Sequence, residues 1–339
     1  MIDLSTTYMG LALKNPIVAS ASPLCDSVDK IRYLEAHGIA AVVLPSLFEE
    51  QLILDSESVD SDLSRGAEAF AESSSFLPEL GDYNLGPEGY LELIRKAKRQ
   101  VSIPIIASLN GVTPGGWVRY AREMEQAGAD AIELNIYSLV TDPSRTAAEV
   151  EKDYCALVRK LRENLKIPIA VKLSQFFSAV ANFASHIDTS GANAIVLFNR
   201  FYQPDLDINQ LEVVPTITLS HPSELLLRLH WTAVMYGHIS ADIAVTGGVH
   251  RAEDVLKSVM AGASVAMMTS ALLQNGVAHL DTVLSGIQQW MEEHEYQSID
   301  QMRGSMSQRN VPDPAMYERA NYMRVLCSYA LRSPVTRNS

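Results

Sequence analysis

The sequence predicts an α/β protein folded as a (β/α)8 TIM barrel, and three observations carry that expectation. Short aliphatic runs alternate with longer helix-period stretches eight times along the chain. Buried runs of four to eight residues between amphipathic helices are the pattern of a parallel sheet covered by helices. Gly38, Gly128, Gly191 and Gly262 each stand between a helical stretch and the next apolar run, where a left-handed residue closes the last turn. Ile-Pro-Ile at 103–105, and again at 167–169, places a proline at the start of a strand, where its missing N–H does least harm. With eight units and no linker between two halves, a closed barrel fits better than an open doubly wound sheet.

Taken in order, the strand runs are 17–21, 40–44, 105–109, 131–135, 169–173, 194–198, 243–246 and 265–268. The helical stretches fall at about 26–37, 87–100, 115–127, 146–164, 178–189, 223–237, 252–261 and 277–293. Two insertions interrupt the series. The first, 48–83, follows the second strand; its Ser-rich and acidic 49–79 stretch reads as a solvated loop placed to act as a lid. The second, 200–221, follows the sixth strand. Residues 1–300 are assigned to the barrel and 301–339 to a C-terminal helical extension, with one helix at 314–331. Tyr317, Tyr322, Met323, Leu326 and Ala330 form its apolar stripe, which packs on the barrel or on the second subunit of a homodimer.

Composition narrows the function. A chain that is 47% hydrophobic and 20% charged has ample core, which excludes disorder and coiled coil. Its net charge of −13 repels phosphate backbones and anionic lipid, so nucleic-acid and membrane-surface binding are disfavoured. Cys25, Cys155 and Cys327 are too dispersed for a disulfide framework or for a zinc or iron–sulfur ligand set. No basic-then-apolar leader and no 18-residue apolar run is present, so the expectation is a cytoplasmic protein without a transmembrane segment.

In a barrel the functional groups lie at the C-terminal strand ends. In chain order those ends carry Ser20 and Ala21, Ser46, Asn110, Asn135, Lys172, Asn199, Gly247 and Gly248, and Thr269 and Ser270. The ring is one of amides and hydroxyls with a single lysine. Alternation is taken to turn Glu133 away from the face of Asn135, so no carboxylate pair or histidine remains at a strand end. Metal hydrolysis and paired-carboxylate glycosidase chemistry are therefore poorly supported, and no metal site is expected. Thr246-Gly247-Gly248 before a helix, with Thr269-Ser270 before another, suits a phosphate held by backbone N–H groups; the bland alternative is a tight turn. Lys172 ends an apolar strand, and a charge buried there calls for an anionic partner, although a surface lysine or a Schiff-base nucleophile is also consistent. Asn135 and Asn199 either contact a ligand or cap their own loops. Cys25 either approaches the ring of loops or is a buried structural thiol.

At these residues the chain resembles the dihydroorotate dehydrogenase family of FMN-dependent barrels. The match runs in order over about residues 4 to 300. It includes Asn15-Pro16-Ile17, Asn84-Leu85-Gly86 with Tyr90-Leu91, Glu133-Leu134-Asn135 and Val171-Lys172-Leu173. Thr246-Gly247-Gly248 with Asp254-Val255, Gly262-Ala263, and Tyr296-Gln297-Ser298-Ile299 complete it. Each motif is weak alone; their order and spacing together are specific.

The resemblance implies FMN as cofactor, with its phosphate at Gly247, Gly248, Thr269 and Ser270, assisted by Ser220. It implies the ring edge against Lys172, whose charge stabilises the reduced ring. Ser20, Ala21, Ser46 and Asn110 then line the ring, Asn135 contacts flavin and substrate, and Asn84 and Asn199 contact substrate. The family's proton-abstracting Cys or Ser falls at Ser138. A serine needs a proton relay to act as a base, and Thr141 is a candidate for it. The implied reaction is oxidation of dihydroorotate to orotate, in pyrimidine biosynthesis, by proton abstraction and hydride transfer to FMN.

The departures concern the substrate. Pro45 stands where the family has a lysine, and Pro78 and Val140 stand where it has amides. The family's Gly-Gly-x-Ser-Gly after the sixth strand is reduced to Thr218-Leu219-Ser220-His221. Losing three polar contacts points to a changed small-molecule substrate. A flavin barrel without dihydroorotate activity, and an unrelated phosphate-binding isomerase or aldolase, are the competing expectations. Absence of a membrane helix disfavours a quinone acceptor, three scattered cysteines cannot hold an iron–sulfur cluster, and the electron-transfer partner stays undetermined.

Overall fold

A computed structural model describes residues 2–48, 86–111 and 114–326 of the protein. Nearly all of the expected first insertion, Pro78, Asn84, Cys327 and Ala330 lie outside the described residues.

Eight strands form a closed, wholly parallel barrel: β1 Ile17–Ala19, β2 Ala41–Phe48, β3 Ile105–Asn110, β4 Ala131–Asn135, β5 Ile169–Leu173, β6 Ala194–Leu197, β7 Asp242–Thr246 and β8 Val265–Met268. Each pairs with the next in chain order, and β8 returns to β1. Every expected run is a strand. The largest difference is β2, which continues to Phe48 beyond the expected 40–44. Its register shifts between Val43 and Ser46, around Pro45, which has no N–H to offer the ladder.

Helices α1 Val28–Ala36, α2 Gly86–Gln100, α3 Pro114–Ala127, α4 Ala147–Asn164, α5 Val180–Thr189, α6 Leu225–Met235 and α7 Ala252–Ala261 follow strands in turn. After β8 come a short α8 Ser270–Asn275 and then α9 His279–Glu293. The four glycines that precede strands all have positive φ, as the sequence anticipates. Helix α4 begins at a capping box in which Thr146 and Glu149 satisfy each other's backbone N–H groups.

The barrel interior is stratified. Val18, Ala41, Val43, Ile106, Ala131, Ala170, Ala194, Val196, Ala244, Val265 and Met267 form one buried cluster drawn from all eight strands. Small residues dominate its lower layer because side chains from eight strands converge there. An N-terminal hairpin, Thr6–Tyr8 paired with Leu11–Leu13, adds Tyr8, Met9 and Leu13 to this cluster and so plugs the barrel's N-terminal end. Sequence reading did not anticipate it. Met9 and Gly10 both adopt positive φ at its turn, and the Met9 N–H donates to the Asp242 carboxylate at 2.7 Å.

Two other segments differ from expectation. The chain after β6 carries a hairpin, Asp205–Asp207 with Glu212–Val214, whose Leu206, Ile208 and Leu211 side chains are exposed. The expected single helix at 314–331 is broken. A 3-10 turn at Pro314–Tyr317 ends in extended Glu318, and the described part resumes as a helix only at Ala320–Leu326. Tyr322, Met323 and Leu326 are exposed on this chain rather than packed on the barrel. Between barrel and tail, the N–H groups of Gly304, Met306 and Gln308 donate to carbonyls of Val259, Met260 and Ala233, stitching that stretch to α7 and α6.

Asp242 also accepts from the Ser264 hydroxyl at 2.7 Å, so a single carboxylate joins the hairpin plug to two strands. Asp242→Ala is expected to cost about 2 kcal/mol, on the worth of hydrogen bonds to a charged acceptor. A lowered urea midpoint at unchanged m-value would show it.

Candidate active site

The mouth of the barrel is a cavity of about 560 Å³ whose lining comes from the C-terminal strand ends and the loops after them. Ser20, Ala21, Ser46, Asn110, Asn135, Lys172, Asn199, Ser220, Gly247, Thr269 and Ser270 all line it, so the ring of groups read from the sequence is brought together. Gly248 lies beside it, with its N–H donated to the Ser220 hydroxyl at 3.1 Å. Asn84 lies outside the described residues.

At the floor of the cavity, Lys172 Nζ stands 3.4 Å from Glu133 Oε1, and both side chains are buried. This overturns the expected orientation of Glu133. Residues two apart on a strand share a face, so Ala131, Glu133 and Asn135 all point into the barrel at successive depths. Lys172 therefore has a carboxylate partner from the next strand. The other Glu133 oxygen has no hydrogen-bond partner among the described residues, and neither do the Oδ1 atoms of Asn135 and Asn199. Asn199 is otherwise anchored, its amide donating to the Ile136 carbonyl at 3.1 Å. Buried acceptors of this kind normally find a donor, so these amides are arranged to receive one from a ligand.

At the other end hydroxyls converge. The Ser220 N–H and hydroxyl both reach Ser270 Oγ at 2.9 Å, and the Thr269 hydroxyl donates to the Ser20 carbonyl at 3.3 Å. Ser46 and Ser108 share a hydrogen bond at 2.8 Å on the side wall. Arg228 and Arg200 also line the cavity and share one carboxylate, Glu224. Burial pulls the Arg228 guanidinium below its ordinary value, which the Glu224 charge opposes. Burial works against ionisation of Glu224, but hydrogen bonds from Arg200 and the His221 N–H outweigh it and keep its carboxyl low.

Ser138 is placed differently from the other expected residues. It does not line the cavity; its hydroxyl and N–H both bond to Tyr154 on α4. The residue of that loop which does face the cavity is Tyr137, whose hydroxyl accepts the Tyr202 N–H at 2.7 Å. Thr141 is exposed. Cys25 is fully buried away from the cavity, and burial pushes its thiol up to about 12, the character of a structural cysteine.

The dihydroorotate dehydrogenase family profile matches residues 3–291, nearly the whole chain. The chain belongs to the dihydroorotate dehydrogenase family. Among its relatives, the catalytic subunit of dihydroorotate dehydrogenase B (NAD(+)) from Thermoplasma acidophilum is 26% identical over 310 residues, covering 90% of this chain and 99% of that protein. The protein of the same name from Desulforudis audaxviator is 24% identical, with 90% and 97% covered. A putative dihydroorotate dehydrogenase A (fumarate) from Aeropyrum pernix is 26% identical over 227 residues, 63% of this chain and 71% of its own. Membership makes this dihydroorotate dehydrogenase family protein a flavin-dependent oxidoreductase acting on CH–CH groups. No helix among the described residues is long and apolar enough to cross a membrane. No group of three or more metal-ligating side chains occurs among them.

Sequence reading gives no role to Arg228, Arg200 or Tyr137 and turns Glu133 the wrong way. For Arg228 a signal was present: one charge inside the apolar run Leu225-Leu226-Leu227-Arg228-Leu229. For Glu133 the signal was the period of two itself.

Three outcomes are expected from this geometry. Glu133→Ala leaves Lys172 buried without its carboxylate and is expected to destabilise the fold by about 3 kcal/mol. Glu133→Leu with Lys172→Met should recover most of that loss in the same denaturant titration. Native protein at pH 8 should leave Cys25 unmodified by iodoacetamide, as peptide mass mapping would show, whereas unfolded protein should not.

Proposed function

We propose that this protein oxidises dihydroorotate, or a close cyclic dihydro relative, with FMN bound across the barrel mouth. One observation carries the reading: a buried ammonium and two amide oxygens without a partner among the described residues floor a cavity whose far end gathers hydroxyls and the Gly248 N–H. That donor set suits a flavin. Lys172 and Asn135 would hold the polar edge of the ring, Ser20, Ala21, Ser46 and Asn110 its faces, and Ser220, Gly247, Gly248, Thr269 and Ser270 its phosphate. When bound, FMN supplies the two-electron acceptor that the side chains of this chain lack.

The chain's own residues provide charge, orientation and a proton path. Glu133 keeps Lys172 in place, so the ammonium offers fixed positive charge at no reorganisation cost. Asn199, anchored through its amide nitrogen, presents Oδ1 to a substrate N–H. Ser138 is the residue assigned to take the substrate proton. It already donates to Tyr154, so the route for its own proton runs through that phenol, which passes its own proton on to solvent, rather than through exposed Thr141. The loop after β4 must turn the Ser138 oxygen towards the cavity for this step.

A second reading keeps the flavin and changes the substrate. Pro45 is buried within β2 and Val140 is exposed, so neither offers the polar contact expected at its position. The relatives named as NAD(+) enzyme catalytic subunits support electron transfer onward through a separate partner subunit.

Anaerobic mixing with dihydroorotate should bleach the visible flavin absorbance. Ser138→Ala should slow that reduction by roughly 10²- to 10⁴-fold while retaining FMN, in line with the usual worth of a positioned base; an unchanged rate would remove Ser138 from the chemistry. A yellow protein inert to dihydroorotate but reduced by another dihydropyrimidine would establish the changed-substrate reading. A colourless preparation that takes up no added FMN would overturn both.

A further inference from the structure

Arg228 is a buried cation that the described residues do not fully satisfy. Its side chain is only 5% exposed, and it lines the cavity beside the glycine turn after β7. Two backbone bonds orient the guanidinium: Nε donates to the Thr246 carbonyl at 3.0 Å and Nη1 to the Glu224 carbonyl at 2.8 Å. With the plane so fixed, Nη2 lies against Gly247, close enough that a Cβ there would sit 3.1 Å from it. Among the described residues Nη2 makes no hydrogen bond; the nearest carboxylate oxygen, Glu224 Oε2, is 3.8 Å away and is bonded by Arg200.

Two guanidiniums on one carboxylate leave a net positive charge at this end of the cavity. Burying such a charge is costly unless an anion completes it. The neighbouring groups are donors of the right kind: the Ser220 and Ser270 hydroxyls lie 2.9 Å apart, and the Gly248 N–H points to the same spot. Gly248 is held there by α6 itself, since a Cβ at that position would come within 2.4 Å of the Leu225 nitrogen. The helix that carries Arg228 thus packs directly on the turn.

We infer that Arg228 is the charged ligand of a phosphate monoester at this end of the cavity, so that the protein grips the flavin phosphate with a side-chain guanidinium as well as with backbone N–H groups. The inference rests on the flavin reading above and adds a residue to it. It also accounts for how this end tolerates a glycine-poor 218–221 segment: a fixed guanidinium supplies two-pronged, charge-assisted donors that small backbone turns otherwise provide.

The test compares FMN with riboflavin, which differs only by the phosphate, binding to flavin-free protein by fluorescence quenching. Wild type should prefer FMN. Arg228→Met should weaken FMN by roughly 10- to 100-fold, the range for a charged hydrogen-bonded contact, and leave riboflavin unchanged. Arg228→Lys should restore part of the preference, because it returns the charge without the fork; this variant also carries the comparison if Arg228→Met fails to fold. Equal weakening of FMN and riboflavin would mean that Arg228 only braces Thr246 and Glu224, and it would overturn the assignment, as would unchanged FMN affinity. If wild type binds neither flavin, the flavin reading falls. Inorganic phosphate measured by calorimetry then decides Arg228: binding lost in Arg228→Met keeps the anion anchor, and no binding to wild type removes it.

Discussion

Only alternate residues of each strand can enter the interior of a closed barrel, and the site is built on that restriction. On β4 the inward positions are Ala131, Glu133 and Asn135; on β5 they are Ala170 and Lys172. The lowest layer is alanine-rich because side chains from eight strands meet there, and the N-terminal hairpin closes it with Tyr8 and Leu13. The same alternation one layer higher delivers a charge pair, and the next layer delivers amides to the mouth. Apolar closure below and polar opening above are one pattern read at successive depths.

Charge is handled by pairing at two separate places. At the floor, Glu133 and Lys172 neutralise each other within the barrel, and the pair keeps the ammonium in position without needing a ligand to stabilise it. At the glycine turn, Arg200 and Arg228 share Glu224, leaving positive charge in a protein whose overall balance is −13. Net charge disfavours nucleic-acid binding but is silent about a local anion site, because screening and burial make electrostatics a local matter.

The side of the site that would meet substrate is less complete than the side that would meet cofactor. Pro45 bends the register of β2 instead of offering a charge, and Ser138 is bonded to Tyr154 on the helix layer. Sites that recognise polar substrates lose specificity steeply when such donors go, which is why the reading with a changed substrate stands beside the dihydroorotate reading.

The sequence by itself determined the barrel, because eight buried runs, eight helices and the glycines between them impose local conformations that have few common packings. It also determined which side chains ring the mouth, since strand ends converge in any such barrel. Tertiary structure alone decided what those side chains do to one another. The Lys172–Glu133 pair joins residues 39 apart across two strands. The Arg228 contacts to Thr246 and Gly247 join a helix to a later strand. Ser138 turned towards Tyr154 because loop backbone, not strand period, aims it. Period and propensity are local quantities, whereas hydrogen-bond partners depend on the distance between chain segments that only folding brings close.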